Sequence, residues 1–378
     1  MRLPPARPGT PLMVRQRELD FSLYPMVKTS RRWGRHSTLY ATDPWAVIAG
    51  AVTESITGQA EKSAAASFVR QAREYFEAAE RASSIETRPL LYYYSFLNLA
   101  KAIAMGRGRS DLVGKVRHGV SPVGGTGHSP VTTKLNIDAS AAVTGPKSAI
   151  DELHWALEGT AVATGHYEVG GIIAQSVIAH RMWCASFGQQ RAERFVPIDR
   201  IEFIHDEAAN TVWLRVLVRR AVAASRGWGL TKILTESGLD SDFRGVKHPD
   251  PTVESEFHVL EQCVPVRYTG RAADVVVDVV DVVRPFLWQT ITASAPFRRF
   301  YLYLSPPTER RMPQWLSVYS TLFWLGSLTR YQPVELFEVL DGKFGPFFRE
   351  FLETQPRQLL YILASDAKRQ NVTRGVIV

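Results

Sequence analysis

The first hundred residues place apolar side chains at helical spacing. Asp43-Pro44-Trp45 predicts a helix start with proline in the first turn, and Trp45, Ile48, Val52 and Ile56 follow every three to four positions. From about Glu61 to Ala82, Phe68, Ala72, Phe76 and Ala79 share one face. The stretch Arg88–Met105, RPLLYYYSFLNLAKAIAM, is apolar on nearly every side yet holds Ser95, Asn98 and Lys101. Thr87 is placed to cap it, with Pro89 in its first turn. A helix apolar all round belongs in a core, where each polar group costs about 1–3 kcal/mol unless it finds a partner. Either a structural network or a site has to meet Asn98 and Lys101.

Gly106-Arg107-Gly108 ends this helix, and the Gly- and Pro-rich run Gly119–Pro130 predicts a loop. Further helices are expected near Ala149–Leu157 and Ile172–Phe187. The period then changes. Phe195–His205 and Thr211–Arg219 alternate around Asp206–Asn210 as a hairpin does, with Val212, Leu214, Val216 and Val218 on one side. On the other side lie Trp213, Arg215, Leu217 and Arg219. Ser255–Tyr268 and Phe297–Leu304 are further strand candidates. From Pro313 the pattern is helical again, with Pro333 and Pro356 marking first turns and Gly342 to Gly345 a break. The expected fold is α+β and predominantly α-helical: an N-terminal helical bundle, a small antiparallel β insertion and a C-terminal helical segment. The expected boundaries are a basic arm at 1–40, the bundle at 41–192, the α+β region at 193–310 and helices at 311–378 that pack back on the bundle.

Charge changes this picture at one end. The net charge is +8, and residues 1–36 supply +6 of it: Arg2, Arg7, Arg15, Arg17, Lys28, Arg31, Arg32 and Arg35 against Glu18 and Asp20. A basic, proline-containing arm suits an anionic partner, nucleic acid foremost, and Arg15, Arg17, Arg31, Arg32 and Arg35 are its candidate phosphate contacts. A solvated tail would have the same composition. Arginines outnumber lysines 35 to 10, a bias that phosphate recognition and a GC-rich genome produce alike. Two cysteines, Cys184 and Cys263, exclude a disulfide scaffold or a cysteine-rich zinc site and fit a reducing compartment. The first residues lack the apolar stretch of a secretory signal, and Met312–Leu328 is interrupted by Gln314, Ser317, Ser320 and Thr321. A cytoplasmic protein with no membrane partner is expected.

Known signatures are few. The sequence has no phosphate-binding P-loop, dinucleotide fingerprint, nucleophile elbow or zinc-protease pair, and neither a cofactor nor a metal is expected. Asp274, Asp278 and Asp281 share a helix face, which reads as solvated surface opposite a valine stripe rather than as a cation site. The Arg-x(4–6)-His spacing of HEPN-type ribonucleases occurs at Arg31/His36 and Arg200/His205, but roughly two to three such matches arise by chance in this composition. The Arg200 pair also falls in a predicted strand, where an odd offset sends the two side chains to opposite faces. More informative is the central helix itself. Tyr94, Asn98 and Lys101 lie on one side, and Arg117-His118-Gly119 follows after a short loop. A histidine near a lysine and an arginine stays neutral and suits general-base work, so Lys101, Arg117 and His118 are the catalytic candidates. Ser327, Arg330, Tyr331 and Gln332 close the last long apolar helix. There Arg330 either complements the helix dipole or, with Tyr94, Asn98 and Tyr331, lines a substrate-binding cleft.

PLLYYYSFLNLAKAI at Pro89–Ile103, the following His118-Gly119, and LGSLTRYQP at Leu325–Pro333 resemble the YaaC-like bacterial family, in consistent order from about Trp45 to the C-terminus. The family carries no assigned activity, so the resemblance implies a bacterial cytosolic protein with this helical layout and transfers no catalytic residues. Three functions remain from the residues themselves. The first is an RNA-interacting protein, in its stronger form a metal-independent, HEPN-like ribonuclease. The others are a non-catalytic subunit of a stress or phage-defence assembly with a protein partner, and an enzyme or binder for a small anionic ligand.

Overall fold

The computed structural model describes residues 3–14, 16–25, 38–109, 112–114, 116–124, 129–140, 145–188 and 193–375. It is 48% helix and 21% strand, so the α+β class holds. The strand content is larger than a small insertion: the described residues form five sheets. The chain makes two compact units, and each is discontinuous in sequence.

One unit joins Met1–Tyr40 to Glu193–Thr308 and Arg369–Val378. Its main sheet is antiparallel in the order Thr10–Pro11, Arg200–Asp206, Thr211–Arg219, Phe257–Gln262, Phe243–Val246. The hairpin turns at Asn210, whose φ of 50° is a left-handed conformation that asparagine tolerates. Val212, Leu214, Val216 and Val218 face a helix, Val276–Val283, that answers with Val276, Val279, Val280 and Val283. Two valine stripes, one of period two and one of helical period, thus close a single core. A second sheet pairs Leu287–Ile291, Arg298–Tyr303 and Phe195–Pro197. The expected strand Phe195–His205 is therefore two: Phe195–Pro197 joins this second sheet, and the hairpin strand starts only at Arg200. Ser255–Tyr268 likewise resolves into a short helix, Pro251–Glu256, and the strands Phe257–Gln262 and Val266–Arg267.

Charge and proline content set residues 1–40 apart as an arm, but the described part of that stretch is built into the unit. Pro5 bridges to Lys247, and Thr10–Pro11 extends the main sheet. Arg7 is no solvated cation. Its backbone N–H donates to the fully buried Glu261 carboxylate at 3.0 Å, and its guanidinium donates to the carbonyls of Gln262 and Cys263. Arg215 and Arg244 meet the same carboxylate at 3.3 and 3.2 Å.

The other unit joins Ala41–Ala192 to Glu309–Lys368. Helices α1 (Pro44–Ser55), α2 (Gln59–Arg81) and α3 (Arg88–Gly106) run in succession. The Asp43 carboxylate accepts from the N–H groups of Trp45 and Ala46 and caps α1. Thr87 does not cap α3 in this way; its hydroxyl donates to the Ser84 carbonyl instead. α3 is the centre of this unit, packed by α2 and by the helix Gln314–Tyr331, both of which bury apolar faces. Gln175–Ala179 divides the expected helix Ile172–Phe187 into Val169–Ala174 and His180–Ser186. Pro356 lies inside the helix Gly345–Lys368 rather than at a first turn, the helix starting after the Gly342 break. A small sheet of Val120–Pro122, Lys134–Ile137 and Gly165–Glu168 completes the unit and carries the chain past His118.

Candidate functional site

The polar residues inside α3 have three different fates. Ser95 is structural: its hydroxyl donates to the Ala72 carbonyl of α2 at 2.7 Å. Asn98 is nearly as buried, and its amide donates to Gln71 Oε1 at 2.9 Å. Lys101 is half-buried and forms no hydrogen bond or ion pair among the described residues. Its Nζ sits 5.2 Å from the centre of the Phe68 ring. Phe68, Gln71 and Tyr75 recur at helical spacing on α2 and face Lys101, Asn98 and Tyr94 on α3, with Tyr75 and Tyr94 5.7 Å apart.

His118 reaches this face because the chain is pinned on either side of it. Arg117 forms a bridge with Ser148. Gly119 turns with φ of +85°, where a Cβ would lie 2.1 Å from Ser148 Oγ and 2.5 Å from Ile150 Cγ1. No side chain fits there, which gives the His-Gly pair of the sequence its physical reason. The His118 ring lies against Tyr93 and Phe323, and its Nδ1 is hydrogen-bonded to the Tyr93 hydroxyl. Nε2 makes no hydrogen bond among the described residues.

Arg330, in the last turn of Gln314–Tyr331, donates from Nη1 to the Tyr94 hydroxyl at 2.9 Å and lies 4.9 Å from the Tyr331 ring centre. Like Lys101, it has no carboxylate partner among the described residues. Tyr331 is 62% exposed. Arg117 is the candidate that does not join: its guanidinium turns to the carbonyls of Pro146 and Ala139 and holds a loop.

The electrostatics agree with this geometry. Burial first, then the Lys101 and Arg330 charges, lower the His118 pKa, so the imidazole is held neutral. Burial lowers Lys101 as well. Tyr93 is pushed far up, chiefly by burial, and keeps its proton. The Tyr93–His118 pair is therefore neutral. When the Tyr93 hydroxyl donates to Nδ1, Nε2 carries the ring proton and is a donor; when Nδ1–H donates to Tyr93, Nε2 presents a lone pair and is a base.

A protein-family comparison decides what this arrangement belongs to. The family model described as YaaC-like protein matches residues 29–367. The chain belongs to the YaaC-like family. Both sequence motifs of the family resemblance end on this face: α3 and His118-Gly119 supply Tyr93, Tyr94, Lys101 and the imidazole, and the second motif supplies Arg330 and Tyr331. Comparison with curated proteins and with solved structures finds no match.

The remaining candidates lie elsewhere. Arg17 is exposed on a two-residue strand, Arg17–Glu18, while Arg15, Arg31, Arg32, Arg35 and the Arg31/His36 pair fall outside the described residues. Arg200 and His205 both lie in the hairpin strand, five residues apart, and so on opposite faces. Asp274, Asp278 and Asp281 are exposed; Asp274 accepts from the Arg271 N–H and Asp281 pairs with Arg284. No group of His, Cys, Asp and Glu among the described residues could hold a metal. No described helix is long and apolar enough to cross a membrane. Sequence reasoning missed Gln71, Tyr75, Tyr93 and Phe323, and it gave Phe68 only a place on the apolar face of α2. The 68/71/75 spacing on α2 was a usable signal, whereas Phe323 looks like any core residue until the fold brings it to His118.

Proposed function

We propose that this protein binds RNA, and that the α2–α3 face is where it does so. The observation that carries the reading is the pair of cations without counter-charge among the described residues, Lys101 and Arg330, both acting on a neutral His118 amid exposed or half-exposed aromatic rings. Phosphate supplies the missing negative charge. Unstacked bases supply flat partners for Tyr75, Tyr94 and Tyr331, which is how single-stranded RNA is commonly held. In the base form, His118 Nε2 suits removal of a ribose 2′-hydroxyl proton, with the 2′-oxygen attacking phosphorus, the 5′-oxygen leaving as a hydroxyl that takes its proton from solvent, and a 2′,3′-cyclic phosphate remaining. Lys101 and Arg330 would then steady the added charge on phosphorus.

The test is a gel-shift and cleavage series with a labelled single-stranded RNA, and DNA of the same sequence, at low and moderate salt. The expected result is an RNA shift that weakens with salt. Absence of both shift and cleavage at low salt removes the proposal, and a shift without cleavage confines it to binding.

A further inference from the structure

The sheet-rich unit contains a cavity of about 440 Å³, within the range of small-molecule sites, whose chemistry is opposite in sign to the α2–α3 face. Its walls include Phe21, Phe203, Phe297 and Phe300, with Phe21 packed on Phe203 and edge-on to Phe300. The arginines that line it are engaged: Arg200 pairs with Glu202 at 2.6 Å, and Arg298 donates to Gln289 and to the Val372 carbonyl. Asp199 is engaged by Arg219. Glu18 and Asp20 also line the cavity, and neither has a cationic partner among the described residues.

A second observation sits at Asn371. This residue lines the cavity, is 5% exposed, and donates through Nδ2 to Ser22 Oγ at 2.9 Å, while its Oδ1 has no partner among the described residues. A buried amide oxygen left unpaired is costly to the fold, so a donor that reaches it from the cavity relieves that cost. Unpaired carboxylates, an orphaned acceptor and aromatic walls together select one class of ligand. We propose that this cavity binds a small organic monocation with a flat or aliphatic body, of the arylalkylamine kind. The ammonium group donates to Asn371 and faces Glu18 and Asp20, and the body lies against the phenylalanines, whose faces also favour the cation. This site is independent of the RNA reading and belongs to a different unit.

The experiment is calorimetric titration of the full chain with phenethylamine, with neutral 2-phenylethanol and with anionic phenylacetate. The amine is expected to bind about tenfold or more tightly than either analogue. Glu18→Gln combined with Asp20→Asn, both at exposed positions, is expected to weaken the amine by a similar factor and to leave the melting temperature unchanged. Asn371→Ala is expected to weaken it too, with the melting temperature recording any cost to the fold. Equal binding of all three compounds, no binding of the amine, or unchanged binding by the acidic double variant would overturn the proposal.

Discussion

The protein gathers cations in two places and treats them in opposite ways. In the sheet-rich unit, Arg7, Arg215 and Arg244 converge on Glu261, and the donors of Arg7 that remain go to the Gln262 and Cys263 carbonyls. On the α2–α3 face, Lys101 and Arg330 act on His118 with no carboxylate partner among the described residues. The first cluster is closed: its cations share one carboxylate within the fold, and Glu261 and Arg215 are almost wholly removed from water. The second is open, since among the described residues its cations have only aromatic rings and a tyrosine hydroxyl for company. A closed cluster holds a fold together, whereas an open one is completed by something that arrives. The same residue type thus carries different meanings, and the count of arginines in the sequence could not tell them apart.

The largest effect should come from breaking the closed cluster. Glu261→Gln leaves three guanidinium groups around a neutral amide, and loss of one member of a buried pair typically costs about 3–5 kcal/mol. The midpoint of urea unfolding should fall accordingly. A variant as stable as the parent would show that these charges are as open as Lys101 and Arg330, and the contrast would fail.

A smaller effect separates the two places by pH. An unfolded histidine takes its proton near pH ~6.5, whereas His118 takes it at a lower value. Between those two values the unfolded chain holds more protons than the folded one. Stability therefore rises with pH through that window and is lost as pH falls through it. His154 and His258 are also lowered, chiefly by burial, so the measurement is a difference. His118→Asn should flatten part of the fall in urea midpoint below neutrality. An unchanged pH profile would mean that His118 titrates like an exposed histidine and that the two cations do not reach it.

Much of the fold was legible because its periods are clean. The valine stripe Val212–Val218 and its helical counterpart Val276–Val283 announced the sheet core, and α1 to α3 follow from spacing, with Asp43 marking the first of them. Breaks were harder. Pro356 looked like a helix start because a proline suits a first turn, yet surrounding packing keeps it within Gly345–Lys368. Apolar residues recur along the whole of Phe195–His205, on both sides of Asp199-Arg200, and nothing in that pattern shows that Phe195–Pro197 pairs with a different sheet. Arg7 counts toward the basic arm in the sequence because its partner, Glu261, lies 254 residues away. At the site, Lys101, His118 and Arg330 stood out as charged groups beside apolar helices. Arg117 stood out equally and turned away, because the choice between a loop carbonyl and a site is made by tertiary contacts.

The most direct test is an anisotropy titration of labelled single-stranded RNA with the parent protein and with Lys101→Met/Arg330→Gln, at one low salt concentration and alongside thermal melts. Removing two cations that no described residue neutralises should weaken binding by about tenfold or more, ~1.4 kcal/mol per decade, and leave the melting temperature unchanged. A double variant that binds RNA as tightly as the parent, or that melts early in the manner expected of Glu261→Gln, would contradict the account.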